Sequence, residues 1–427
     1  MPEISRQPAD RPGTNNTPMA LAEARRRIVA AIRPVEDTER VTLNKALHRV
    51  LAERVVAGVD VPSAANSSMD GYGYAAAGVE GPGARLKIAG QSLAGHPFTG
   101  RVGPGECVRI MTGAVVPDGV DSVVMQENTR LDGEFMIVEQ PSEPGANIRP
   151  AGEDLARGQP VLGPGSFLHP ADIVVLASVG AAEVTVVRRP RVAFFSTGDE
   201  LRPIDGALAP GEIYDSNRYG LAAQLESLGM EGVDLGAVGD SSQALAEAFD
   251  RAASCDALIT SGGVSVGAAD FVVDVLADKG AIDFWRVAIK PGKPLAFGAL
   301  GRTRFFGLPG NPVSTAVTFI QLVRPALVRL AGATPAEPIR MTLPTATDLA
   351  KRPGREHFLR ARMDFGGASP RVIALDHQGS GVMRSMSRAD AFVVLPADWA
   401  DVPAGTPVTV EPFAQTIWAP VDVPGDA

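Results

Sequence analysis

Cysteine is nearly absent: Cys107 and Cys255 are the only two in 427 residues, and they lie far apart with no CxxC spacing. A disulfide framework or zinc cluster is therefore not expected, and a reducing cytoplasm fits. Five histidines, His48, His96, His169, His357 and His377, share no ligand spacing and suggest no metal role. An excess of basic charge is also missing, since 40 Lys and Arg stand against 49 Asp and Glu, for a net charge of −9. That balance disfavours wrapping a nucleic acid and leaves only local basic pockets for small anions. No run approaches the ~20 apolar residues needed to span a bilayer, so no membrane partner is expected. The start of the chain, MPEISRQPADRPGTNNTP, has no apolar h-region, and residues 1–17 read as a disordered tail.

What is present is a turn-rich chain with 46 Gly and 35 Pro, yet with 45% hydrophobic residues, long enough for several domains. Leu21, Ala24, Ile28 and Ala31 recur at helical spacing, and Thr42 suggests the cap of a second helix over 43–53. From Val61 to Arg149 the texture changes to short strand-like runs, ARLKIAG, GECVRIM, SVVMQE and EFMIVEQ. Helix HPADIVVLASVG and strand AEVTVVRR follow. The expected organisation is a mixed helical domain in two pieces, 18–58 and 150–188, interrupted by an inserted β domain, 59–149.

Residues 189–332 alternate strands (RVAFFS, VDLGAV, DALITS, FWRVAI, LAFGAL, TRFFGL) with helices at 217–228, 242–253, 271–278 and 312–330. Such alternation implies a doubly wound, mainly parallel sheet with ligands outside the carboxyl ends of its strands. Short strands return in residues 333–427 and predict a C-terminal β domain. The fold class is α/β, multi-domain.

Within the α/β segment one pattern is written three times: RVAFF then STGDEL, DALI then TSGGVSVGAAD, and TRFFG then LPGNPVST. A strand ending in a small-residue loop that opens a helix lets backbone N–H groups converge on an oxyanion. Ser261, Gly262, Gly263, Ser265 and Gly267, with Pro309, Gly310, Asn311, Pro312 and Ser314, are the candidate cradle. Asn311 before Pro312 is also ordinary helix-start grammar, which would leave Ser314 and Thr315 with hydroxyls exposed in the first turn.

Asp199, Glu200, Asp240 and Asp270 each follow a strand's carboxyl end. One such acid alone is more often a helix cap, but four converging on an anion cradle imply a cation between them, and Mg²⁺ prefers sparse carboxylates plus ligand oxygens. Asp240 and Asp270 are the candidate Mg²⁺ ligands. Lys290 and Lys293 in IKPGKP suit an oxyanion such as molybdate, against the plainer reading of a solvated hairpin tip. Asp70-Gly71 in NSSMDGYGYA could be just a tight turn, but its packed hydroxyls, Met, acid and tyrosines suggest a loop pressed against something, and Thr112 in MTGAVV sits in a similar loop.

The ordered series NSSMDGYG, MTGAVVPDGVDSVVMQE, NIRPAGEDL, FSTGDEL, PGEIYDSN, TSGGVSVGAADF, IKPGKPLAFG, LPGNPVST and HQGSG resembles the molybdopterin molybdenumtransferases, over roughly residues 18–415, and is similar to the C-terminal region of gephyrin. MDGYG here replaces the usual MDGYA. The resemblance implies an elongated four-domain subunit in a cytoplasmic homodimer with sites shared between subunits. It also implies Mg²⁺-dependent transfer of molybdenum from molybdate to adenylylated molybdopterin, with release of AMP. A molybdopterin adenylyltransferase and molybdoenzymes are the implied partners. By motif, the functional residues fall on Asp70, Thr112, Glu200, Asp240, Asp270, Lys290, Lys293, Pro309 and Pro312, with Arg360 and Ser380 from the C-terminal region. The alternatives are a molybdopterin adenylyltransferase and a gephyrin-like scaffold without catalysis.

Overall fold

The structure, a computed structural model, describes residues 14–263, 281–367 and 369–413. The chain forms two compact units: one contains the chain through Thr38, His48–Val50 and the chain from Val187 onward, the other Glu39–Leu47 and Leu51–Val186.

The first unit is built on a seven-stranded sheet in the order Thr14–Met19, Ala281–Val287, Pro294–Leu300, Thr303–Leu308, Ala257–Ser261, Arg191–Thr197, Glu231–Val238. Four of its strand pairs are parallel and two, those made by Pro294–Leu300, are antiparallel. Both faces of the strands are apolar, as a buried sheet requires. Val192, Phe194, Ala257, Ile259, Phe306 and Leu308 pack toward helices Leu21–Ala31, Ser216–Ser227 and the helical run 312–330. Ala193, Phe195, Leu258 and Phe305 pack toward Ser242–Ala252 on the other face. Asp215 and Ser241 cap two of these helices, accepting from the N–H of Arg218 and of Ala244. Thr14–Met19 is a strand, so the tail expected to reach residue 17 ends earlier in the chain.

The run 312–330 comprises helix Pro312–Thr318, a π-helical turn Phe319–Val323 and helix Arg324–Leu330. Pro325 has no N–H for the carbonyl of Gln321, four residues back, and that carbonyl instead accepts from Arg25 Nε at 3.0 Å. By length and composition this 19-residue run is apolar enough to cross a membrane, which corrects the expectation that none approaches that length; 72% of its most apolar 18 residues is buried in the protein interior.

A second sheet in the same unit runs Ile289–Lys290, Glu356–Asp364, Ala391–Leu395, Pro407–Pro412, Met341–Pro344, with Arg371–Ala374 on the free side of Glu356–Asp364. Its Leu359, Ala361, Val393 and Val410 form a local core, while Phe358, Phe392 and Val394 join the core of the α/β sheet.

The second unit is threaded as nested pairs. Strand Thr38–Thr42 pairs with Glu183–Val187, Val55–Val56 with Pro160–Leu162, and Asn66–Ser67 with Ile148–Arg149. Between the innermost pair lies a six-stranded sheet, ordered Ser122–Met125, Gly71–Tyr74, Glu106–Ile110, Arg85–Ser92, Phe135–Val138, Thr129–Asp132. The helix expected over 43–53 is not formed. Only a 3₁₀ turn, Leu43–Lys45, is present; His48 takes φ 59°, and the N–H groups of Leu51 and Ala52 donate to Ser166 and Thr185 carbonyls as a strand would. Cys107 and Cys255 are free and buried.

Candidate functional site

At the carboxyl ends of the α/β strands a crevice of about 880 Å³ opens within the first unit. Its floor is made of the loops that follow three parallel strands: Thr197–Gly198, Gly262–Gly263 and Pro309–Asn311. These loops lie against one another at backbone level. The Gly262 N–H donates to the Leu308 carbonyl at 3.0 Å, and Gly262 has φ 98°; a Cβ there would sit 2.5 Å from the Thr197 carbonyl oxygen. Only glycine meets both conditions.

The acids stand at one end of this floor. Glu200 and Asp240 line the crevice, and Thr197 Oγ1 donates to Asp240 Oδ1. Asp199, also weighed as a site acid, accepts from the Asp240 N–H and does not line the crevice.

The cations stand at the other end. Lys290 and Lys293 are exposed in the crevice on the turn that links Ala281–Val287 to Pro294–Leu300, and neither forms an ion pair with another described residue. Strand Ile289–Lys290 pairs in parallel with Glu356–His357, which ties this turn to the second sheet. Gly292, with φ 110°, packs so closely on helix 312–318 that a Cβ would meet Thr318 Oγ1 at 2.6 Å. The turn is therefore anchored on two sides and is no free hairpin tip.

The second sheet contributes Arg355, Gln378, Gly379 and Ser380. Arg360 does not line the crevice. It is fully buried, with Nε donating to Ser385 Oγ and Nη2 to the carbonyls of His377 and Gly379, while its own N–H donates to Gln378 Oε1. Burial pulls the guanidinium down to about 10, so it stays charged at neutral pH. Arg360 thus shapes the loop that presents Ser380, and Arg355 is the arginine that faces the crevice. Sequence reasoning missed Arg355, Gln378 and Thr197. Arg355 follows a basic Pro-Gly turn, KRPGR, with the same grammar as KPGKP, which was a usable signal.

At the helix start, Asn311 occupies the N-cap position but makes no side-chain capping bond, and it lines the crevice with Ser314. The Val313 N–H is taken by the Ser380 carbonyl at 3.0 Å. Thr315 is buried, its hydroxyl donating back to the Pro309 and Asn311 carbonyls, so it exposes no hydroxyl to a ligand. Pro309 and Gly310 line the crevice, whereas Pro312 and Ser261 do not. Ser265, Gly267 and Asp270 fall outside the described residues.

Asp70 and Thr112 belong to the second unit, and every residue lining the crevice belongs to the first. The two meet each other: the N–H and the hydroxyl of Thr112 both donate to Asp70 Oδ1 at 2.7 Å. These bonds, the backbone one first, hold the carboxyl below its ordinary range, with Arg109 adding attraction. Among the described residues no group of three or more His, Cys, Asp or Glu could hold a metal ion by itself.

The arrangement is that of a site for a polyanionic ligand: a glycine floor, cations on one side, and two carboxylates on the other. Comparison with known proteins gives the same direction. Residues 19–180 match the family described as MoeA N-terminal region (domain I and II), residues 193–329 a probable molybdopterin binding domain, and residues 342–413 the MoeA C-terminal region (domain IV). A molybdopterin molybdenumtransferase of Haemophilus influenzae is 40% identical over 400 residues, spanning 92% of this chain and 98% of that protein. One of Nostoc sp. is 35% identical over 424 residues, 96% of this chain and 97% of its own. Among solved structures, a molybdopterin biosynthesis moeA protein of Pyrococcus horikoshii OT3 is similar with a TM-score of 0.81 at 27% identity, covering 93% of this chain and all of that one.

Proposed function

The chain belongs to the molybdopterin molybdenumtransferase family, and from that premise we propose that it inserts molybdenum into molybdopterin, with molybdate as the metal source, in the crevice of its first unit. It is a transferase of molybdenum cofactor biosynthesis. The single observation that carries the site assignment is the meeting of Glu200, Asp240, Lys290, Lys293 and Arg355 around one glycine floor. A non-catalytic, gephyrin-like scaffold needs no such set. A stand-alone adenylyltransferase is disfavoured because the match extends over nearly the whole chain.

In this reading the substrate is adenylylated molybdopterin, and AMP is the leaving product. The floor-loop N–H groups other than that of Gly262, which donates to Leu308, hold the pyrophosphate, as converging backbone donors beside a helix start do. Lys290, Lys293 and Arg355 hold molybdate, and Ser380 is fixed nearby through its carbonyl's bond to Val313. Asp240, oriented by Thr197, and Glu200 fit Mg²⁺, which takes one or two carboxylates and fills its remaining positions with water and phosphate oxygens. When bound, that cation would neutralise charge on the anhydride being broken.

The domain partition follows the same reading, a discontinuous domain of 18–58 and 150–188, an inserted β domain 59–149, the molybdopterin-binding domain 189–332 and the C-terminal domain from 333, with one correction: strand Thr14–Met19 and helix Leu21–Ala31 join the sheet and core of the first unit and so go with 189–332. A cytoplasmic homodimer, with Asp70 and Thr112 serving the partner's crevice, accounts for an exposed acid–threonine pair outside the crevice. A molybdopterin adenylyltransferase upstream and molybdoenzymes downstream are the partners this chemistry requires.

The test is direct. Purified protein is incubated with adenylylated molybdopterin, Mg²⁺ and molybdate; AMP release that depends on molybdate and yields metal-loaded molybdopterin is expected. AMP release without molybdate, or none, overturns the reading.

A further inference from the structure

We infer that Asn217 is a positioning residue that sets the spacing between two of the floor loops, an inference that rests on the crevice being the reaction site. Asn217 lies in the first turn of helix Ser216–Ser227 and does not line the crevice. Its amide nitrogen has two hydrogens, and each is committed to a different loop: Nδ2 lies 2.7 Å from Ser261 Oγ and 2.7 Å from the Gly310 carbonyl oxygen. Ser261 ends strand Ala257–Ser261 and leads into Gly262–Gly263; Gly310 is the centre of the Pro309–Asn311 loop.

The geometry gives this clamp something to control. The two loops touch through glycines, with the position of a Cβ on Gly310 only 3.7 Å from Gly262 Cα. Neither glycine has a side chain to fix that approach, so beyond the strand pairing that ends at Ser261 and Leu308 it is held by the Gly262 N–H to Leu308 bond on one side and by Asn217 on the other. The clamp is itself held rigidly. Asp215 is buried and caps the helix through Arg218 N–H; Arg218 Nε bonds Asp215 at 3.0 Å and its Nη1 bonds Asp234 at 2.6 Å. A side chain with two donors is required here, because Ser261 accepts one hydrogen bond and a carbonyl, which only accepts, takes the other.

The experiment compares wild type with Asn217→Ala, Asn217→Asp, Ser261→Ala and the Asn217→Ala/Ser261→Ala double variant, following molybdate-dependent AMP release and thermal unfolding. Wild type must turn over, and its failure would count against the proposed function alone. Asn217→Asp keeps size and suits a helix first turn, so it folds, but it lacks both donors. Both Asn217 variants are expected to lose roughly 10- to 100-fold in kcat, the scale of misplacing a binding group by up to about 1 Å. Any added rise in KM of the Asp variant should fade with salt, while the kcat loss should not. Because Asn217 acts through Ser261, the double variant should lose clearly less than the product of the two single losses. Folded Asn217 variants with kcat within twofold of wild type, or single losses that simply multiply, would overturn the inference, whatever happens to the melting temperature.

Discussion

Thr112 donates twice to one oxygen of Asp70, from its N–H and from its hydroxyl, each at 2.7 Å. Both bonds favour the carboxylate and keep its pKa below the ordinary 3.8. Thr112→Val keeps the N–H bond and removes the hydroxyl, so the Asp70 midpoint should rise toward that value, as read by carboxyl carbon NMR. A depressed acid contributes stability above its unfolded pKa and loses it as pH falls through the folded one, so the variant should lose this contribution at a higher pH than wild type. An unmoved midpoint would show that the hydroxyl bond is absent in solution.

Lys290 and Lys293 should contact the oxyanion directly. Replacing either by Ala is expected to raise the molybdate concentration for half-maximal rate by about tenfold, the scale of one charge-assisted hydrogen bond. The loss should persist at high ionic strength, because a contact pair inside a crevice is screened less than a distant one. An unchanged molybdate dependence, or a loss that disappears with salt, would reduce the lysines to a solvated turn.

His357 carries an acid-stability prediction. It is buried beside the charges of Lys290, Lys351, Arg360 and Arg355, and burial first, then those charges, pushes the imidazole from 6.5 down to about 3; its Nε2 has no hydrogen-bond partner among the described residues. Below pH 6.5 the unfolded chain takes up a proton that the native state refuses, so stability falls with pH across that window by ~1.4 kcal/mol per unit. Between pH 7 and 5 this residue should account for a loss of about 2 kcal/mol in urea unfolding. His357→Leu should remove that component, and an identical pH slope in the variant would show that the imidazole protonates in the native state.

The sequence made the crevice legible because each strand-loop-helix junction carries its own local grammar: Glu200 and Asp240 after their strands, glycines where loops touch, KPGK at a turn. Contacts between distant segments were not legible. Arg360 has the look of a ligand-binding arginine, and only the fold reveals that it is buried under the His377–Gly379 loop while Arg355, five residues earlier, faces the crevice. Thr315 fails as a ligand group because its hydroxyl closes the local loop. Thr42 reads as the cap of a helix over 43–53, but long-range strand pairing of Leu51 and Ala52 overrides local propensity.

The exposed Asp70–Thr112 pair and the crevice acids belong to different units of the chain, and none of the crevice lining comes from the unit that carries Asp70. If each site of a C₂ dimer takes Asp70 from one subunit and Asp240 from the other, Asp70→Ala and Asp240→Ala proteins should both be inactive alone, by two orders of magnitude or more, with melting temperatures close to wild type because both side chains contribute little to a core. Mixing them under conditions of subunit exchange makes about half the dimers mixed, and each mixed dimer holds one site with both acids intact and one with neither. Recovery should therefore approach about a quarter of wild-type activity at a 1:1 ratio. Exchange verified by mass tags without recovery, or full activity in a protein shown to be monomeric, would establish that each site is completed within a single chain.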